Sequence, residues 1–143
     1  MDLSKLRDWM HSQGWEGSEE KTMKPESIMI IENNPDFRNT LRLAFEKRGY
    51  ITWTCPEPAI ADSIVSLFQP QIVILDIDAV PEDATSLLDS WREEAPHTRV
   101  VVQSRYADAD SMRSAMEHGA SAYLVKPFSL EPLFQLLEKA GTR

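Results

Sequence analysis

Cysteine is nearly absent from this sequence. Cys55 is the single one among 143 residues, so the chain cannot form an internal disulfide, and no Cys and His residues stand at the spacing of a zinc site. The length and a hydrophobic content of 42% are enough for one domain with a buried core. We therefore expect a single globular domain from a reducing, cytoplasmic compartment.

Long apolar runs and an excess of basic residues are also missing. No stretch approaches the ~20 apolar residues that span a bilayer, and the amino terminus lacks an apolar signal core, so we expect neither membrane insertion nor export. Lys and Arg number 15 against 23 Asp and Glu, which gives a net charge of −8. Because this charge opposes attraction to phosphate backbones and anionic lipid surfaces, direct nucleic-acid and membrane partners are disfavoured.

The chain divides near residue 26 into a polar extension and a regular domain. Residues 1–26 carry mixed charges, whereas apolar runs recur regularly over residues 27–141. Four apolar residues of the extension fall on one face of a short amphipathic helix: Leu3, Leu6, Trp9 and Met10. Two interpretations of this helix stay open, a frayed tail and a docking or dimer-contact element.

Strand and helix patterns alternate after the extension. The predicted strands are 27–31, 50–55, 71–76, 100–103 and 122–125. Asn34 and Pro35 predict the start of the first helix. The residues at helical spacing are Phe37, Leu41 and Phe45; Ile60, Ile64 and Phe68; Leu87, Leu88 and Trp91; Met112, Ala115 and Met116; and Leu133, Phe134 and Leu137. Five βα units in this order predict an α/β fold, in which helices cover both faces of a parallel sheet.

Polar residues follow the carboxyl ends of these strands, where open α/β sheets place their chemistry. Glu32 and Asn33 follow the first strand, Asp76 ends the third, and Ser104 and Lys126 follow the fourth and fifth. Each of them alone is a common capping or surface residue. Together they match what an aspartate needs to accept a phosphoryl group: acidic ligands for a divalent cation, and a lysine and a hydroxyl for the phosphoryl oxygens.

With these motifs in place, the chain resembles the receiver (CheY-like) domain of bacterial two-component response regulators. The resemblance covers about residues 27–140, and its landmarks are IIENNP at 30–35, VILD at 73–76, VVQS at 101–104 and GASAYLVKPF at 119–128. It implies a three-layer, flavodoxin-like (βα)5 fold with the strand order 2-1-3-4-5. It also implies phosphorelay signalling with a sensor histidine kinase or phosphotransfer protein and a downstream protein effector. The face formed by the fourth helix, fifth strand and fifth helix is implied to carry dimer or effector contacts.

The resemblance assigns roles to individual residues. It implies that Asp76 is the phosphoacceptor, Ser104 the switch hydroxyl and Lys126 the phosphate-contacting lysine, preceding a cis proline bond. It further implies Tyr123 as the switch aromatic. Mg²⁺ is implied at the position of the acidic pair, which in this chain is Glu32 and Asn33, together with Asp76.

The acidic pair departs from the family pattern of two aspartates. Asn33 is neutral, so one formal carboxylate is missing, and we expect Mg²⁺ to bind weakly. Asp78, two residues beyond Asp76, is a candidate to restore negative charge near the ion. The alternative is that Asp78 is a solvated loop acid.

The residue after the switch serine departs as well, because the family prefers a very small residue there and this chain carries Arg105. Its interpretations stay open: Arg105 covers the pocket, pairs with Asp76 or Asp78, contacts phosphate, or lies on the surface. Tyr106 and Tyr123 flank the same region, either as switch groups or as ordinary packing.

Two functions remain open on the sequence. The first is regulated phosphoacceptance on Asp76. The second is a phosphorylation-independent adaptor or dimerisation module, favoured by Asn33, Arg105 and Ala84, which stands where the family usually has glycine. A haloacid-dehalogenase-type phosphatase with Asp76 and Asp78 is disfavoured, because two βα units precede this pair and little chain follows. We therefore expect no enzyme, and output through protein contacts unless the chain is a fragment of a larger regulator.

Overall fold

The computed structural model describes residues 26–56, 58–80 and 84–141, with side chains through Glu138, and a few isolated positions in the extension. The strands are β1 (Ser27–Ile31), β2 (Ile51–Cys55), β3 (Ile72–Asp76), β4 (Arg99–Ser104) and β5 (Ala122–Val125). The helices are α1 (Pro35–Lys47), α2 (Pro58–Phe68), α3 (Ala84–Glu94), α4 (Ala109–Glu117) and α5 (Leu130–Gly141), and a short 3₁₀ helix spans Ile77–Ala79.

The five strands form one parallel sheet in the order β2-β1-β3-β4-β5. This confirms the predicted strand order and the flavodoxin-like fold. The side chains of β1 and β3 are fully buried in the middle of the sheet, as expected for strands covered on both faces. Helices α1 and α5 pack on one face, and α2, α3 and α4 contribute to the core on the other.

The start of α1 shows how the local sequence fixes an element. The Asn34 side chain accepts a hydrogen bond from the Phe37 backbone N–H at 3.0 Å, which satisfies one of the free donors of the first turn. Pro35 occupies the first helical position, where no N–H is needed. The helix ends before Gly49, whose φ of 91° suits glycine. The predicted start of this helix is therefore confirmed.

The apolar residues at helical spacing in α2, which are Ile60, Ile64 and Phe68, are not its most buried residues, and of the three Ile64 packs partly buried against the core. The buried residues are Ala61 and Val65, whereas Ile60 is 56% exposed and Phe68 is 42% exposed. Phe68 instead lies against Trp53 of the edge strand β2, with 5.7 Å between ring centroids. Since α2 is apolar on two adjacent stripes, its periodicity could not choose between them.

The predicted extension lies almost entirely outside the described residues. Five of its positions are described: Lys5, Asp8, Trp9 and Ser12, which are helical, and Glu26, which precedes β1. Trp9 is 57% exposed. The remainder of the predicted amphipathic helix is not described, so its role as a tail or a contact element stays a prediction. Among the helices that the structure does describe, none has the length and apolar character needed to cross a membrane.

Candidate functional site

The strand order brings the predicted site residues to one edge of the sheet. Strands β1, β3 and β4 are neighbours, and Asp76 at the end of β3 is in register with Gln103 of β4. Glu32, Asp76 and Ser104 therefore meet at the carboxyl ends of three adjacent strands. They are 0%, 3% and 1% exposed, so two carboxyl groups lie buried beside each other and need a compensating cation.

Lys126 supplies that cation. Its Nζ lies 3.0 Å from Glu32 Oε1 and 3.1 Å from Asp76 Oδ2. The Lys126–Pro127 bond is cis, as the resemblance implies, and the Lys126 backbone N–H donates to the Ser104 carbonyl at 2.8 Å. The loop after β5 is thereby attached to β4, and the ammonium group lies between both carboxylates.

Gln103 is a site residue that the sequence analysis did not select. It is fully buried, and its Nε2 donates to Glu32 Oε1 at 2.7 Å. Its own Oε1 has no hydrogen-bond partner. One feature of the sequence could have identified Gln103, because it is a polar residue inside an otherwise apolar strand. A polar side chain is usually buried only where it meets a polar partner. Glu32 also accepts from the Asn34 N–H at 3.0 Å through Oε2.

The pKa of the Glu32 carboxyl is raised above its ordinary value. Burial of the group is the largest cause, because it disfavours the charged form, and the negative charge of Asp76 acts in the same direction. The hydrogen bond from the Asn34 N–H and the contact with Lys126 oppose the shift without cancelling it. The folded protein therefore holds a proton on Glu32 more tightly than the unfolded chain does.

The Glu32→Gln variant, which mimics the protonated acid, is expected to gain stability relative to the natural protein as the pH rises from about 4 to about 7. Because the pKa of Glu32 is raised in the folded protein, ionising this group costs more in the folded state than in the unfolded chain. The natural protein therefore loses stability as the pH rises through the folded-state pKa of Glu32, whereas the glutamine variant does not. Urea unfolding at several pH values measures the difference. Glu117→Gln, at an exposed glutamate, is the control. A pH-independent difference for Glu32→Gln would contradict the assignment.

Asp78 lies in the 3₁₀ helix that follows β3. The Asp76 side chain caps this helix by accepting from the Asp78 N–H at 3.1 Å. The Asp78 carboxylate accepts from the Ser104 hydroxyl at 2.9 Å and from the Arg105 backbone N–H at 2.9 Å. Arg105 Nε lies 3.4 Å from the same carboxylate. Of the open interpretations of Arg105, the structure shows pairing with Asp78.

The two tyrosines form a chain of hydrogen bonds leading away from Ser104. The Tyr106 backbone N–H donates to Ser104 Oγ at 3.0 Å, and the Tyr123 hydroxyl donates to the Tyr106 carbonyl at 2.8 Å. The Tyr106 side chain is 57% exposed. Tyr123 packs partly buried against the core on the α2–α4 face. Their role as switch groups stays a prediction.

The pocket provides two buried carboxylates, Glu32 and Asp76. Mg²⁺ prefers oxygen ligands and is usually bound by only one or two protein carboxylates. The position of Lys126 Nζ, near 3 Å from Glu32 and from Asp76, shows that one cation reaches both groups. Asn33, the next residue after Glu32, is exposed. Within the described residues, no group of three or more Asp, Glu, His or Cys has the geometry of a metal site. Glu32 and Asp76 are two carboxylates only, which is the number that Mg²⁺ takes when it keeps several waters.

Comparison with known proteins gives a consistent set of relatives. Residues 28–138 match the family model for the response regulator receiver domain. The chain is 26% identical over 117 residues to the sporulation initiation phosphotransferase F of Bacillus subtilis. The aligned region covers 82% of this chain and 94% of that protein. It is 26% identical over 113 residues to the regulatory protein AtoC of Escherichia coli, covering 79% of this chain and 24% of that protein.

A solved structure shares the fold at a similar level of identity. A response regulator from Thermotoga maritima superimposes with a TM-score of 0.73 and 26% sequence identity, over 81% of this chain and 97% of that one. This chain spans only about a quarter of the length of AtoC, 24%, and 25% of the transcriptional regulator NtrC of Proteus hauseri.

Proposed function

The chain belongs to the family of response regulator receiver domains, and we propose that its residues 27–141 accept a phosphoryl group on Asp76 in two-component phosphorelay signalling. Receiver domains are signalling modules. The observation that carries the proposal is the buried Asp76 carboxylate, 3.1 Å from the Lys126 ammonium and on the strand next to that of the Ser104 hydroxyl. This arrangement supports the proposal, because an aspartate nucleophile needs neighbouring cationic and hydroxyl groups for the phosphoryl oxygens.

The proposed reaction is transfer of a phosphoryl group between two carriers. An oxygen of the Asp76 carboxylate attacks the phosphorus atom and forms a new O–P bond. The bond from phosphorus to the donor atom breaks, and the donor leaves with that electron pair. Lys126 stays close enough to neutralise one phosphoryl oxygen, and Ser104 is placed to donate its hydroxyl proton to another once that proton is free.

Mg²⁺ is the cofactor we propose for this step. Receiver domains generally bind Mg²⁺ at an acidic pocket, and the ion neutralises the negative charge of the phosphoryl oxygens. Glu32 and Asp76 are the carboxylates proposed to hold it, with Asn33 at the position of the missing acid. Asp78 adds negative charge close by, while its carboxylate faces Ser104 and Arg105. Because Lys126 competes for the same carboxylates, binding should be weak.

Restoring the missing carboxylate provides a test of the metal site. The Asn33→Asp variant should bind Mg²⁺ about tenfold more tightly, since ~1.4 kcal/mol of additional attraction corresponds to a factor of ten. Isothermal titration calorimetry measures the affinity directly. Asn34→Asp is the matched control, because it adds the same charge one residue further on and aspartate also caps helices. Equal affinities for Asn33→Asp and the natural protein would argue against this site.

The proposed partners follow from the family. Receiver domains interact with histidine kinases or phosphotransfer proteins and with effector domains. We propose a sensor histidine kinase or a phosphotransfer protein as the phosphodonor, and a protein effector or a second copy of the chain as the output partner. Met112 and Met116 of α4 are 36% and 46% exposed, and exposed methionines suit an adaptable contact surface.

A phosphorylation-independent adaptor is the second candidate function. The observation that favours it is that the polar groups of the pocket already pair with one another. Lys126 forms ion pairs with both Glu32 and Asp76. The Ser104 hydroxyl donates its hydrogen bond to the Asp78 carboxylate. A pocket that is closed in this way can hold the fold in one state for a partner without any phosphoryl transfer.

Intact-mass spectrometry after incubation with acetyl phosphate and Mg²⁺ separates the two functions. We expect one added phosphoryl group on the natural protein and none on Asp76→Asn, because an amide cannot form an acyl phosphate. The adduct should also require Mg²⁺. No adduct on the natural protein at high Mg²⁺ would reject phosphoacceptance in favour of the adaptor.

A further inference from the structure

The Ser104 hydroxyl and the Arg105 backbone N–H form a pair of donors directed at a single carboxylate. Ser104 Oγ donates to Asp78 Oδ1 at 2.9 Å, and the Arg105 N–H donates to Asp78 Oδ2 at 2.9 Å. The Arg105 guanidinium adds a contact of 3.4 Å from Nε to Oδ2. Each carboxylate oxygen has its own donor, and the Asp78 side chain is only 14% exposed. We call Ser104 Oγ–H and Arg105 N–H the oxyanion donor pair.

The oxyanion donor pair has the chemistry of a phosphate-oxygen site. A hydroxyl, a backbone N–H and a guanidinium are all donors that bind phosphoryl oxygens. Ser104 immediately follows Gln103, the register partner of Asp76, so the pair lies beside the carboxylate that would carry the phosphoryl group. Asp78 thus occupies donors suited to a phosphoryl oxygen.

The hydroxyl of Ser104 cannot serve both groups at once. A serine hydroxyl carries one proton, and that proton is donated to Asp78. Its oxygen also accepts from the Tyr106 N–H at 3.0 Å, and the Ser104 side chain has no second proton to donate. A phosphoryl oxygen can therefore bind Ser104 only after Asp78 leaves. The negative charge of Asp78 also opposes the approach of an anion.

We propose that Asp78 is a tethered occupant of the oxyanion donor pair, and that a phosphate-type oxyanion binds there only by displacing it. Asp78 is covalently held two residues from Asp76, so its effective concentration at the pair is high and free anions compete poorly. The consequence for phosphorylation rests on the proposed function, because it assumes that Asp76 is the acceptor. Asp78 would then set how readily the receiver takes a phosphoryl group.

The test is a titration with inorganic phosphate, followed by the backbone amide NMR signals of Arg105 and Tyr106. We expect Asp78→Ala to bind phosphate at least about tenfold more tightly than the natural protein. Adding Ser104→Ala to that variant should remove the gain. Asp110→Ala, which deletes a carboxylate whose side chain is 90% exposed on α4, is the matched control and should leave the affinity unchanged.

Equal phosphate affinity for Asp78→Ala and the natural protein would overturn the proposal. Asp78→Asn preserves the shape of the side chain and tests the same point if the alanine variant does not fold. It keeps an acceptor for Ser104 but loses the charge, so a smaller gain is expected, and no gain would again overturn the proposal.

The rate of adduct formation with acetyl phosphate distinguishes this proposal from the proposed function. If Asp78 is the occupant and Asp76 the acceptor, Asp78→Ala should be phosphorylated at least about tenfold faster than the natural protein. Tighter phosphate binding with no adduct in either protein would support the tethered occupant and reject phosphoacceptance. Adducts at equal rates together with equal phosphate binding would support phosphoacceptance and reject the tethered occupant.

Discussion

Replacing Lys126 with methionine will destabilise the folded protein by about 3 kcal/mol at neutral pH. The Lys126 ammonium lies within 3.0 Å of Glu32 and 3.1 Å of Asp76, and both carboxyl groups are almost fully buried. Methionine preserves most of the side-chain length but leaves the carboxylates uncompensated. Breaking a buried ion pair from one side is costly because the remaining charge cannot regain its hydration.

Two further measurements make this prediction specific to the pocket. The loss in Lys126→Met should shrink as the pH falls, since a protonated carboxyl needs no cation. Mg²⁺ should recover part of the stability and bind more tightly than to the natural protein, because its competitor is gone. Lys47→Met, at an exposed lysine of α1, should change the free energy of unfolding by no more than about 0.5 kcal/mol. Equal unfolding curves for Lys126→Met and the natural protein would show that Lys126 does not bridge the carboxylates in solution.

The second large effect is expected in the core between α1 and α5. Phe45 is fully buried, with its ring centroid 5.0 Å from that of Tyr50 and 4.9 Å from that of Phe134. Phe45→Ala should cost about 3–5 kcal/mol, from the lost apolar contacts and the cavity that remains. Leu43→Ala removes a 52% exposed side chain from the same helix and should cost far less. Denaturant unfolding of both variants tests the prediction, and a cost below about 1 kcal/mol for Phe45→Ala would mean that α1 is not packed as described.

The sequence was most informative where a local rule determines the backbone. The helix start at Asn34 and Pro35 depends on hydrogen bonds within one turn, and the buried strand β3 is a continuous apolar run, so both were predictable. The order of the strands was not, because alternating strands and helices fit several sheet orders. The order came from the resemblance, carried by motifs such as VILD at 73–76 and the lysine and proline at 126–127.

The contacts inside the pocket depend on tertiary packing and were harder to predict. Whether the Gln103 side chain points inward depends on the partner strand that carries Glu32, which no local pattern reveals. The contact between Asp78 and Ser104 requires the 3₁₀ helix after β3 and the end of β4 to lie side by side. The most buried residues of α2 could not be identified from spacing for a related reason, since the sheet buries Ala61 and Val65 and leaves Ile64 only partly buried.

The most direct test of phosphoacceptance on Asp76 is to locate the phosphoryl group on the chain. Acyl phosphates are reduced by borohydride to the alcohol, which converts a phosphorylated aspartate to homoserine. Peptide mass spectrometry of the natural protein after treatment with acetyl phosphate, Mg²⁺ and borohydride then identifies the modified position. We predict homoserine at position 76 and an unmodified Asp78. An unmodified Asp76, or modification of a different carboxylate, would contradict this prediction.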